Sequence, residues 1–66
     1  MTNMREEAIE RHGIDVVDTP QYRLGHRAYW NGIDILTVKE AGNTAHERWL
    51  IEQGWLDARD NENLLN

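Results

Sequence analysis

Apolar and polar positions alternate over residues 21–40, QYRLGHRAYWNGIDILTVKE, on both sides of the dipeptide Asn31-Gly32. Alternation with a period of two is typical of a half-buried strand, and Asn-Gly is strongly favoured in two-residue hairpin turns. The pattern therefore predicts a β-hairpin with strands over residues 22–30 and 33–38. A type I′ turn would pair Trp30 with Ile33 and direct both side chains toward the core.

Helices are predicted on either side of this hairpin. Residues 4–12 begin with acidic and end with basic side chains, which suits the helix dipole, and Gly13 can end the helix in a left-handed conformation. A second helix is predicted after Thr44, because a glutamate follows three residues later and completes a capping box. We expect this second helix to end at Gly54.

The β-branched run IDVVD, residues 14–18, predicts one more strand, which would end before Pro20. The element order is then α-β-β-β-α. The predicted fold class is α+β, a three-stranded antiparallel sheet with two helices packed on one face. Residues 1–56 would form this single domain, and residues 57–66 would form an acidic, flexible C-terminal tail.

The composition of the chain limits the kinds of reactive or metal-binding site that it can form. The chain has 66 residues, a net charge of −5 and no cysteine, so it offers neither a disulfide nor a thiolate ligand. His12, His26 and His46 are too far apart in sequence to form a metal motif, and serine is also absent. We therefore expect no metal, no cofactor and no enzymatic activity.

The same composition bears on partners and location. An excess of acidic residues disfavours broad binding to the nucleic-acid backbone. The N-terminal stretch does not resemble a signal peptide, and no run of residues is apolar enough to span a membrane. The expected setting is soluble and cytoplasmic, without membrane contact.

The outer face of the predicted hairpin is the candidate binding surface. Arginine and tyrosine are enriched at the energetic centres of protein interfaces, and this face is less polar than a solvated sheet face requires. The candidate partner-binding residues are Arg23, Arg27, Tyr29, Asp34, Leu36 and Val38. The leading hypothesis is a small non-enzymatic module that binds another protein.

Three resemblances accompany this hypothesis. In size and composition the chain is similar to phage and mobile-element inhibitors of host complexes, among them the anti-CRISPR proteins. The strings LTVKEAG and WLIEQGWL resemble the start and end of the helix-turn-helix of excisionase and MerR-like proteins, although the middle of that motif is missing. The predicted element order also resembles double-stranded RNA-binding domains, without their lysine-rich helix start. The alternatives are therefore a small DNA- or RNA-binding regulatory factor and a homodimeric structural or regulatory domain.

Overall fold

The computed structural model describes the backbone of residues 4–65 and the side chains of residues 6–62. Every regular element in this range is a helix, so the predicted α+β fold, its three-stranded sheet and its β-hairpin are wrong. The helices are α1 (Met4–His12), α2 (Ile14–Val17), α3 (Pro20–Trp30), α4 (Ile35–Lys39) and α5 (Ala45–Leu65).

Helix α3 replaces the first strand of the predicted hairpin, and its start has a clear local cause. The Thr19 hydroxyl accepts a hydrogen bond from the backbone N–H of Tyr22 at 3.1 Å, as an N-cap residue does. Pro20 then occupies the first helical position, where a missing N–H costs nothing and its fixed φ favours the helix. Thr-Pro is therefore the start of a helix here and does not mark the end of a strand.

The Asn-Gly pair ends α3 and does not form a hairpin turn. Gly32 has a positive φ of 77°, but Asn31 has a φ of −91°, whereas a type I′ turn needs positive φ at both residues. The N–H of Ile33 donates to the carbonyl of Ala28 at 3.0 Å, and that of Gly32 donates to Tyr29 at 3.1 Å. These two bonds form a Schellman motif, the usual end of a helix at glycine.

The N-terminal helix lies where the sequence predicts it, over Met4–His12. Gly13 follows with a positive φ of 92°, and its N–H donates to the carbonyl of Ile9 at 2.7 Å. Residues 14–17, predicted as a strand, form the short helix α2, in which the N–H of Val17 donates to the carbonyl of Gly13 at 3.3 Å. The β-branched residues of this run favour a strand, but the hydrogen bonds that the run donates to the Gly13 carbonyl hold it in a helical turn.

Helix α5 begins as predicted and ends much later. Its capping threonine, Thr44, accepts a hydrogen bond from the N–H of Glu47 at 3.1 Å. The helix continues through Gly54 to Leu65, so the predicted end at Gly54 is wrong. Asp57, within the segment predicted to be a flexible tail, is buried at 5% exposure.

Two glycines bring α3 and α5 into backbone contact. A Cβ atom added at Gly25 would lie 1.9 Å from the carbonyl oxygen of Ile51, and one added at Gly54 would lie 2.0 Å from that of Tyr22. Each glycine therefore lies directly against the main chain of the other helix, and the space between them is too small for any side chain. The missing side chains let the two helices approach more closely than ordinary packing allows.

The core consists of two small clusters, one on each side of this crossing. The first joins α1, α2 and α3, and the second joins α3, α4 and α5. Trp30 and Ile33, the pair predicted to lie inside the protein, are 49% and 40% exposed because neither faces the crossing. The buried members of the clusters are Ala8, Val17 and Tyr22 in the first, and Ala28, Val38 and Ile51 in the second.

Candidate functional site: a groove beside α3

One face of α3 turns away from the helix crossing and carries large side chains. Arg23, Leu24, Arg27 and Trp30 are all exposed, and their spacing of three or four residues places them on one side of the helix. Leu24 is 38% exposed and Trp30 is 49% exposed. A tryptophan this accessible contributes little to the core and is available for contact with another molecule.

A groove of about 510 Å³ lies along this face, within the range of volumes that ligand-binding clefts occupy. Helix α3 supplies most of its wall, and α1, α2 and α5 each contribute at least one side chain. The lining residues are Ala8, Val17, Tyr22, Arg23, His26, Arg27, Trp30 and Asn61. A second, smaller depression of about 410 Å³ adjoins it and shares Arg23 and Arg27.

The charge of the groove is opposite to that of the chain. None of the described lining residues is acidic, whereas the whole chain carries a net charge of −5. Arg23 forms an exposed salt bridge with Asp18. No side chain in the part of the protein that the structure describes forms a salt bridge with Arg27. The Arg27 guanidinium is therefore available to an external anion.

His26 adds an uncharged polar group to the wall. Burial lowers the pKa of this imidazole below its ordinary value of 6.5, and the nearby Asp57 carboxylate opposes the shift only in part. At neutral pH His26 is therefore uncharged. Among the described lining residues, the positive charge of the groove comes from Arg23 and Arg27.

The base of the groove is held in place by a buried carboxylate. Asp57 accepts hydrogen bonds from Arg11 at 2.9 Å and from the Tyr22 hydroxyl at 2.5 Å, and His12 Nε2 lies 3.1 Å from its second oxygen. Burial and the hydrogen bond to Asp57 raise the pKa of Tyr22, which keeps its hydroxyl protonated as a donor. This cluster joins α1, α3 and α5. The Asp57 oxygens already accept hydrogen bonds from side chains of the protein, so we assign the cluster a structural role.

The six candidate residues from the sequence do not share one face. Arg23 and Arg27 lie together on the groove, whereas Tyr29 is half-buried on the other side of α3, its ring edge-to-face with Trp55 at 5.1 Å. Val38 is buried at 6% exposure, and Leu36 is 71% exposed on α4.

Asp34 is the remaining candidate and precedes α4 as its N-cap residue. Its carboxylate accepts a hydrogen bond from the Thr37 hydroxyl, which holds the pKa of Asp34 below its usual range. This local contact between two side chains accounts for the carboxylate without a partner molecule.

Six of the eight described lining residues were not among the predicted candidates: Ala8, Val17, Tyr22, His26, Trp30 and Asn61. The predicted strand directs Trp30 toward the core, and Asn61 falls within the predicted C-terminal tail. The helical spacing of Arg23, His26, Arg27 and Trp30, at i, i+3, i+4 and i+7, is the sequence signal that would have grouped them.

Comparison with protein-family models, with curated protein sequences and with solved structures finds no match to this chain. Function must therefore be argued from the groove itself. Among the described helices, none has the combination of length and apolar character that crossing a bilayer requires.

Proposed function

We propose that this chain is a small non-enzymatic protein-binding module that uses the exposed face of α3. The observation that carries the proposal is the half-exposed indole of Trp30 beside Arg27, whose guanidinium has no salt-bridge partner among the described side chains. Tryptophan and arginine are the residues most enriched at the energetic centres of protein interfaces. The narrower expectation of a phage-encoded or mobile-element inhibitor stays a prediction.

A nucleic-acid-binding role has less support. Affinity for a phosphate backbone grows with the number of lysine and arginine contacts, and the α3 face offers only two arginines, one of them already paired with Asp18. The acidic remainder of the chain would repel a long polyanion. A protein partner can carry a few negative charges at the contact and few beyond it, so the acidic remainder of this chain would repel it less.

The test compares two tryptophans of similar exposure. Trp30, on the α3 face, is 49% exposed, and Trp49, on α5, is 42% exposed. The full chain is used as tagged bait in lysate of the source cells, as wild type, Trp30→Ala and Trp49→Ala, with circular dichroism to verify that each variant is helical. We expect a protein enriched by the wild type and by Trp49→Ala that is lost with Trp30→Ala.

Two results would count against this proposal. One is a prey protein retained by Trp30→Ala, which would move the binding surface elsewhere. The other is a wild-type bait that enriches no protein over an unrelated helical bait. Light scattering of the purified chain separates the homodimer alternative, since a mass twice that of one chain, reduced to a single mass by Trp30→Ala, would make a second copy the partner.

A further inference from the structure

The lining of the groove combines two chemistries that a single ligand would have to match. Val17 and Ala8 border the groove but belong to the first core cluster, at 3% and 7% exposure, so the apolar surface that the lining offers to a ligand is the half-exposed indole of Trp30. Arg23 and Arg27 follow the same side of α3 one helical turn apart. An occupant therefore needs an apolar group and, close to it, a negative charge.

The two arginines differ in how strongly each can hold that charge. Arg23 already pairs with Asp18, and a ligand carboxylate would have to share its guanidinium. Arg27 has no such competitor among the described side chains. A guanidinium binds a carboxylate through two parallel hydrogen bonds, so Arg27 is the position where an anion gains most.

The size and openness of the groove favour a segment of protein over an extended polymer of phosphates. A volume of about 510 Å³ accommodates one or two large side chains. The net charge of −5 on the whole chain penalises a partner whose charge continues beyond the groove. A peptide segment can present one or two carboxylates here and remain neutral elsewhere.

We propose that the groove binds an acidic peptide segment, with an apolar side chain against Trp30 and a neighbouring carboxylate paired with Arg27. This inference rests on the proposed protein-binding function and names the chemistry of the partner. The determinant is charge complementarity at Arg27, and the apolar contact with Trp30 supplies the rest of the affinity.

The experiment uses the full chain labelled with ¹⁵N and follows its three indole N–H signals, one for each tryptophan. Trp30 lines the groove, Trp49 contacts His12 and His46, and Trp55 donates its N–H to the carbonyl of Ile33 at 2.8 Å. The probe is a short synthetic peptide of glutamate and leucine. A second peptide, with every glutamate replaced by glutamine, has the same length and apolar content.

We expect the glutamate peptide to shift the Trp30 signal with little effect on that of Trp49. Reversing the charge with Arg27→Glu should weaken binding by about tenfold or more, because a carboxylate then faces a carboxylate. Arg59→Glu makes the same charge change outside the groove, and it should alter the affinity by no more than about twofold. Arg27→Gln, which only removes the charge, should fall between wild type and Arg27→Glu.

The proposal is overturned if the glutamine peptide binds as tightly as the glutamate peptide, or if neither peptide moves the Trp30 signal. A single-stranded oligonucleotide that shifts the Trp30 signal at lower concentration than the peptide would also overturn it and would favour a nucleic-acid role. Failure here is distinguishable from failure of the proposed function. The lysate comparison of Trp30→Ala with Trp49→Ala uses no acidic probe and can succeed when the peptide titration fails.

Discussion

Replacing Gly54 by alanine tests the backbone contact between α3 and α5. In an exposed helix this substitution stabilises a protein, because alanine favours the helix by about 1 kcal/mol over glycine. Here the new methyl group would lie 2.0 Å from the carbonyl oxygen of Tyr22, far inside van der Waals contact. Since that oxygen belongs to the main chain of α3, relief requires the two helices to move apart.

The size of the effect follows from two opposing contributions. Overpacking in a rigid core costs about 1–3 kcal/mol, and a clash with backbone belongs at or above the upper end of that range. Subtracting the gain in helix propensity leaves a net loss of about 2 kcal/mol. For a domain of this length that corresponds to a decrease of about 8–16 °C in Tm.

The assay is thermal unfolding followed by far-ultraviolet circular dichroism, with urea unfolding as an independent measure. Gln53→Ala, at the adjacent position of α5, is the control, and it should leave Tm nearly unchanged or slightly raised because alanine is the better helix former. Gly25→Ala should behave like Gly54→Ala, since its methyl group would lie 1.9 Å from the Ile51 carbonyl oxygen. A Tm for Gly54→Ala equal to or above that of the wild type would refute the glycine-mediated contact.

Three further predictions concern other stabilising features. Asp57→Asn should lower the free energy of unfolding by about 3 kcal/mol, since it removes the buried charge from its donors. Asp60→Asn, at a half-exposed carboxylate beside Arg59, should change it by less than about 0.5 kcal/mol in the same urea titration. Thr19→Ala should cost about 1 kcal/mol through loss of the α3 cap, and equal stability of this variant and wild type would contradict the capping role. Because burial lowers the pKa of His26 in the fold, the unfolded chain binds the proton more readily, so this residue's contribution to stability should be complete above pH 6.5 and decline as the pH falls below it. His26→Gln should remove that part of the pH dependence of the urea midpoint, and an identical dependence in both proteins would contradict the assignment.

The elements that could be predicted from the sequence are those with a local cause. The helix at residues 4–12 and its end at Gly13, and the start of α5 at Thr44, depend on capping and glycine conformation within a few residues. Such signals do not require knowledge of what packs against the segment. They were predicted from the sequence and agree with the structure.

The prediction for α3 was wrong because the same pattern of apolar residues is compatible with a strand and with a helix. Tyr22, Leu24, Ala28 and Trp30 alternate with polar residues, but Tyr22 and Ala28 also fit a helical face that includes Gly25. Only the second pattern matches the burial in the structure, where Leu24 and Trp30 are exposed. Short segments of this kind satisfy both periodicities, and the tertiary contact decides between them.

Glycine was the second source of error. Gly25 falls within the predicted strand over residues 22–30, and Gly54 suggested the end of a helix, because glycine is usually unfavourable inside a helix. The two glycines act together to allow the close contact of α3 and α5, since each lies against the main chain of the opposite helix. No pattern within one segment indicates that two distant glycines meet.

The candidate site was predicted only in part for the same reason. Arg23 and Arg27 were identified as exposed cations in either secondary structure, since both are long charged side chains. Trp30 joins them only when the segment is helical, because a strand directs it to the opposite face. The groove therefore could not be derived before the secondary structure of α3 was known.

The Asp57 carboxylate also affects when α1 can form all of its contacts during synthesis of the chain. Arg11 and His12 leave the ribosome long before Asp57, to which they are bonded across 46 and 45 positions of the chain. The first helix can pack on α2 and α3 through the first core cluster, but it lacks its bonds to Asp57 until that part of α5 has emerged. A nascent chain that has not yet reached Asp57 therefore lacks the side-chain bonds that tie α1 to α5.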